Sequence, residues 1–301
     1  MNYELVVKNI RHELKDYIVN NNIKSLILGV SGGIDSALVA ALAKPVCDEL
    51  KIPLIGRSLP MSTNKQDEID RAHLTGTAFC THFKQDNLGE IFNMLNILNP
   101  HPSTTHNPSD KNLDLSKEQN EKNYRIRSGN IKARLRMIYL YNLASINNGL
   151  VLSTDNYTEY MLGFSTIMGD WGDFGMIQYL WKTEVYEMAE WIAKNEYRDN
   201  KIIEHIITIT INALATDGLG VTDQGDLGQI YPNWTGTSRD GYKEVDKILQ
   251  IWLHRDELEN KQREIIETQL KYNEIILRHK ATHFKRNWPV TIKRDRILDI
   301  I

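Results

Sequence analysis

The chain has 301 residues, 41% apolar and 25% charged, with a formal charge of −3 and an isoelectric point near 6.3. That is globular composition, enough for one large domain or two small ones, and the slight acidity excludes a global field that would gather nucleic acid or an anionic membrane. No apolar run approaches the ~18 residues of a membrane-spanning helix, and the charged opening MNYELVVKNIRHELKDY lacks a signal-peptide core.

Residues 3–20 place Leu5, Ile10, Leu14, Tyr17 and Ile18 on roughly one helical face. Residues 26–30 read as a short buried strand. Residues 37–50, rich in alanine and leucine, predict a helix that Pro45 should interrupt or kink. A second strand is expected over 54–59, then helices over 66–79 and 88–98. Residues 99–123, NPHPSTTHNPSDKNLDLSKEQNEKN, hold three prolines and few apolar side chains, so they predict an exposed, mobile insertion. A strong helix resumes over 130–147, with Ile131, Leu135 and Ile138 spaced for one face. A third strand follows at 150–152, then helices over 183–193 and 202–214. The glycine-rich stretch 216–241 reads as loop, 243–254 and 257–280 as helices, and 278–301 as a basic tail. The two cysteines, Cys47 and Cys80, show neither metal-ligand nor disulfide spacing, as expected of a reducing, cytoplasmic setting.

Strands alternating with helices predict an α/β fold: one 1–301 domain built on a doubly wound parallel sheet with helices on both faces and a helical C-terminal extension. Right-handed crossovers put all strand C-termini on one edge, where ligands bind. Three polar stretches emerge there, after Val30, Leu59 and Leu152.

The first of them is the most informative. In SLILGVSGGIDS, residues 25–36, a strand passes through Ser31-Gly32-Gly33-Ile34-Asp35-Ser36 into a helix. Glycines let backbone N–H groups turn inward, the helix N-terminus adds partial positive charge, and two serines offer hydroxyls: a cradle for phosphate. A carboxylate beside phosphate is repulsive unless Mg²⁺ bridges the two, which gives Asp35 a purpose. The competing reading is an ordinary capped turn.

The segment GVSGGIDSALVAALA closely resembles the pyrophosphate-binding loop of the N-type ATP pyrophosphatases, whose adenine nucleotide alpha-hydrolase-like fold it implies. Within that superfamily NIKARLRMIYLYNLA, LVLSTDNYTEYMLGFSTIMGD and WKTEVYEMA, in this order, resemble the motifs of the NAD synthetases, as does LPMSTNKQDEIDRA. The resemblance implies that Ser31, Gly32, Gly33, Ile34, Asp35 and Ser36 hold the phosphates of ATP. It also implies that Asp35 and Glu159 bind Mg²⁺, that Thr154 and Thr216 contact ATP, and that Lys182 touches its phosphates. Arg134 and Asp173 would line the dinucleotide pocket, and Asp170 would orient or deprotonate ammonia. Phe284 and Lys285, in THFKRNWPV, would contact substrate; His279-Lys280 is a rival alignment.

The implied reaction amidates deamido-NAD with ammonia through an acyl-adenylate, giving NAD, AMP and pyrophosphate. Small members of the family are homodimers. Glutamine-using members carry a nitrilase-like domain ahead of the loop; here the loop begins at residue 31, so free ammonia or a separate ammonia source is expected. Some positions depart from the pattern: Ile167 stands at a usual lysine, Ser153 at a glycine and Ala215 at a proline, and GDWGDFGMI is one residue short. Two other readings stay open, a different N-type ATP pyrophosphatase acting on another carboxylate or RNA, and a nucleotide-binding protein that has lost catalysis.

Overall fold

The computed structural model describes residues 1–96, 117–216, 218–222, 224–232, 234–289 and 291–292. Its elements run α1 (Tyr3–Asn20), β1 (Ser25–Gly29), α2 (Ile34–Leu50), β2 (Leu54–Ser58), α3 (Gln66–Phe79), β3 (His82–Gln85), α4 (Gly89–Leu95) and α5 (Lys117–Ile146). There follow β4 (Gly149–Ser153), α6 (Tyr157–Leu162), β5 (Phe174–Gly175), α7 (Lys182–Asn195), α8 (Lys201–Ile211), α9 (Ser238–His254), α10 (Asn260–Leu270), α11 (Glu274–Ala281) and α12 (His283–Arg286). The strands form one parallel sheet in the order β3-β2-β1-β4-β5. Among the described residues no helix is long and apolar enough to cross a membrane.

The alternation of side chains along each strand builds the two layers. Leu26, Leu28, Leu54, Leu150 and Leu152 join a core with α1, α2, α7 and α9, while Ile27, Ile55 and Val151 face α4 and α5 on the other side. The chain moves outward from β1 through β2 to β3, then returns along α5 to place β4 on the opposite flank of β1. The C-terminal ends of β1 and β4 are therefore the switch point at which such sheets open a crevice.

Several expectations need correction. Helix α2 runs unbroken through Pro45. Proline supplies no N–H for the carbonyl of Ala41, and the Arg11 guanidinium from α1 takes its place, donating to Ala41 O at 3.2 Å and Leu42 O at 3.3 Å. Arg11→Met is accordingly expected to lower stability by about 1–3 kcal/mol. The loss should shrink in a Pro45→Ala background, where the helix supplies the donor itself. Urea denaturation midpoints of the four proteins check this; equal losses in both backgrounds would refute it.

Residues 117–123, expected to be loop, form the first turns of α5; residues 97–116 of the same polar stretch lie outside the described residues. The buried stripe of α5 runs through Ala133, Met137, Leu140 and Ala144, which leaves Ile138 64% exposed rather than in the core. The expected helix over 257–280 is two, because the Asn273 side chain accepts from the N–H groups of Ile275 and Ile276 and starts α11 afresh. The region 216–241 contains a short 3-10 helix, Asp226–Gln229, and already the first turn of α9. Strands β3 and β5 and helices α6 and α12 were not anticipated.

Candidate active site

Beyond Gly29 the chain turns through Ser31, Gly32 and Gly33 into α2, whose N-cap, Gly33, has no side chain to occupy the first N–H groups. The loop braces itself from within. Gly33 N donates to Ser31 Oγ (3.2 Å), Ser31 N to Ser36 Oγ (3.2 Å), and Ser36 Oγ to Gly33 O (3.1 Å). Arg71 of α3 reaches back to donate to Gly32 O at 3.0 Å. The result is the floor of a cavity of 210 Å³ that spans the switch point, from residues 29–35 across to Thr154, Asp155 and Glu159.

At one wall stands Lys182, 1% exposed at the start of α7. Its Nζ lies 2.5 Å from Asp35 Oδ2 and 2.9 Å from Glu159 Oε1. Asn156 completes the group: its Nδ2 donates to Asp35 Oδ1 at 2.9 Å, and it caps α6 by accepting from Glu159 N at 3.1 Å. Burial pulls the lysine's pKa down, but the two carboxylates outweigh it and hold the ammonium well above its usual range. Burial first, with the Asp35 charge beside it, holds Glu159 above its usual range against the opposing pull of Lys182.

Asp155, also on the cavity, is raised well above the usual carboxylate range, by burial first and then by Asp170 and Glu159. A carboxyl raised on folding favours the folded state where it stays protonated, and that contribution is lost as pH climbs through its folded pKa. Asp155→Asn should therefore match wild type in melting temperature near pH 4 and exceed it by a widening margin as pH rises. A margin that stays constant across the range would refute the shift.

Thr154, Asp170 and Thr216 line the same cavity. Asp170 accepts from Thr166 N, and Thr216 Oγ1 from Gly218 N at 3.1 Å. Ser36 faces inward at 1% exposure and braces the loop rather than the cavity.

The expected dinucleotide contacts lie outside the cavity lining. Arg134 is exposed and donates from Nε to Ile167 O at 3.2 Å, beside the position where a lysine was expected. Asp173 extends the sheet edge, exchanging bonds with Val151 through its backbone N–H (2.7 Å) and its carboxylate (2.9 Å). Lys285 donates to the carbonyls of Gly163 (2.7 Å) and Ser165 (2.6 Å), and Phe284 is 55% exposed. His279, the rival in the tail, lies 2.9 Å through Nδ1 from Met161 O. Arg57, Arg71, Arg136 and Asp155 also line the cavity and were not singled out from the sequence. Arg71, Arg136 and Asp155 lie inside quoted motifs, so the signal was present without a way to rank it.

Two hard oxygen donors, Asp35 and Glu159, converge on one point, the Lys182 ammonium. Mg²⁺ is held by such oxygens, one or two carboxylates together with phosphate and water, so the donor set fits that ion. Among the described residues no group of three or more His, Cys, Asp or Glu side chains is placed to hold a metal.

The NAD synthase family model matches residues 6–289. An NH(3)-dependent NAD(+) synthetase of Thermococcus sibiricus is 33% identical over 77% of this chain and 78% of its own length. That of Pyrococcus furiosus is 30% identical over 99% of this chain and 98% of its own. In fold, the chain resembles an NMN synthetase from Francisella tularensis, with a TM-score of 0.69, 21% identity, and 97% and 99% of the two chains covered.

Proposed function

The chain belongs to the NAD synthase family, and on that premise we infer that it is an ammonia-dependent NAD synthetase, amidating the nicotinate carboxylate of deamido-NAD with ATP and ammonia. The observation that carries the reading is the Asp35–Lys182–Glu159 cluster at the crevice between β1 and β4, beside a glycine loop that opens a helix. A carboxylate is a poor acyl donor. Attack of its oxygen on the α-phosphorus expels pyrophosphate and leaves an acyl-adenylate; ammonia then adds to the activated carbonyl and AMP departs.

The N–H groups of Gly32 and Ile34 and the Lys182 ammonium face the developing charge on the phosphoryl oxygens. Asp35 and Glu159 would hold Mg²⁺, which when bound supplies further neutralisation of phosphate charge. Thr154 and Thr216 contact ATP from the walls. Ammonium must lose a proton before its nitrogen can attack, and Asp170, on the cavity, is the acceptor for it.

The dinucleotide extends beyond the cavity, over the 163–173 segment that Arg134, Asp173 and Lys285 flank. The working form is a cytoplasmic homodimer, with Ile138 (64% exposed) and Tyr141 (39%) of α5 offering apolar surface for the contact. Ammonia, free or delivered by a separate source, is the nitrogen donor.

The decisive assay offers purified protein ATP and Mg²⁺ with either ammonia or glutamine, and either deamido-NAD or the corresponding mononucleotide, and follows AMP and product together. Equal amounts of AMP and NAD, with deamido-NAD and ammonia only, is the expected result. Nucleotide binding without turnover would instead favour a protein that has lost catalysis.

A further inference from the structure

Lys182 has to bring a charged amine to a site where it is 1% exposed, and its side chain alone does not explain why it points between Asp35 and Glu159. The explanation lies behind it, in groups that the reaction does not touch. Lys182 opens α7 and Glu159 sits in the first turn of α6. These helix starts are separate in sequence and meet through Thr158. Its Oγ1 accepts from Lys182 N at 2.9 Å and donates to Asp246 Oδ1 at 2.6 Å. The second oxygen of Asp246 accepts from Thr183 N at 2.9 Å.

Asp246 itself is 1% exposed, on α9. One buried carboxylate thus holds the residue before Glu159 and the residue after Lys182. It stands at the N-terminus of α7, where the helix dipole favours negative charge. A buried carboxylate is costly unless hydrogen-bonded; here both oxygens are used, one on each helix start. A hydrophobic side chain would fill the same space without that cost, so packing alone does not account for a charge at this place.

We propose that Asp246, acting through Thr158, is the positioning residue that sets Lys182 and Glu159 in register with Asp35. This deepens the proposed function and rests on it. Asp246 is not among the residues that line the cavity. Without it the Thr158–Lys182 tie between α6 and α7 loses its anchor on α9, and the amine is free to shift from its alignment, which is enough to slow a reaction that depends on it.

The test uses Thr158→Val, close in shape but without the hydroxyl, Thr158→Ser, which restores it, Asp246→Asn, and the Thr158→Val/Asp246→Asn double variant. In the full chain, Thr158→Val and Asp246→Asn should each lower kcat by about 10²-fold, with KM for ATP and deamido-NAD nearly unchanged. Thr158→Ser should return most of the loss. The double variant should be no worse than either single one, because both break the same tie.

A second readout does not require turnover: reductive methylation of Lys182, followed by peptide mass spectrometry. The Lys182 peptide should label about tenfold faster in Thr158→Val than in wild type as its clamp opens. Should the wild type make no NAD, the functional reading fails, while the labelling rates still decide the positioning role. Wild-type labelling in Thr158→Val would overturn the proposal, as would losses of kcat that vanish when each variant is assayed well below its melting transition.

Discussion

Lys182→Met is expected to lower kcat by about 10³-fold or more, because it removes a donor aimed at developing phosphoryl charge and also the group that keeps two carboxylates apart. Asp35 Oδ2 and Glu159 Oε1 both lie within 2.9 Å of the same ammonium. Breaking a buried ion pair from one side costs about 3–5 kcal/mol, since the remaining charge is left uncompensated. Part of that loss should therefore appear as instability. It should grow with pH above the ordinary carboxylate range: burial already raises Glu159 and Asp35 raises it further, so losing the lysine shifts it in the same direction.

Adding Asp35→Asn to Lys182→Met separates the two effects. With one carboxylate neutral the melting temperature should recover, while turnover should not, because both the amine and the carboxylate proposed to hold Mg²⁺ are gone. Recovery of kcat together with stability would mean that Lys182 is only structural. Product formation by Lys182→Met within a few-fold of wild type would remove the lysine from the chemistry altogether.

What could be read in advance follows the range of the forces involved. The strands β1, β2 and β4 and the loop after β1 are local features, short apolar runs and, after the first, glycines that lead into a helix, and the sequence shows them directly. The meeting of Lys182 with Asp35 bridges 147 positions, and no spacing rule contains it; it came from the order of motifs that resemble a family. Edge strand β3, HFKQ, has neither alternation nor burial to announce it. The early turns of α5 have charged helix formers but no apolar spacing, so composition pointed to loop while continuity with the packed half of the same helix produced structure.

Pro45 illustrates the opposite error. The local rule that proline breaks helices is sound, but Arg11 of another helix supplies the missing donor. In the basic tail, Arg278, His279, Lys285 and Arg286 are directed at the carbonyls of Met161, Leu162, Gly163 and Ser165 at and just beyond the end of α6. Carbonyl acceptors clustered at a helix C-terminus and just beyond it attract cations as a phosphate does, and sequence alone does not distinguish the two partners.

Gly32→Ala is expected to be the most damaging of small substitutions. Gly32 has φ +83°, a region that costs an L residue about 1–2 kcal/mol. Its added Cβ would come 2.2 Å from the Glu68 carbonyl oxygen and 2.9 Å from Ala72 N, both backbone atoms of α3 that cannot swing aside. Either α3 retreats or the loop changes conformation; both break the Arg71 bond to Gly32 O and misdirect the N–H groups that would receive phosphate. ATP-dependent pyrophosphate release should fall by about 10²–10³-fold, as for loss of an aligned set of donors, and the melting temperature should drop with it.

Gly33→Ala is the control. Gly33 has φ −91°, and its Cβ would meet only Ser31 Oγ at 3.4 Å, an ordinary contact. It should therefore melt close to wild type even if nucleotide affinity weakens. Calorimetric titration with ATP and thermal melts of the two variants settle the matter. If both melt alike and bind ATP alike, the left-handed turn at Gly32 is not what shapes the cradle, and the approach of α3 to the loop has no bearing on how the site holds its nucleotide.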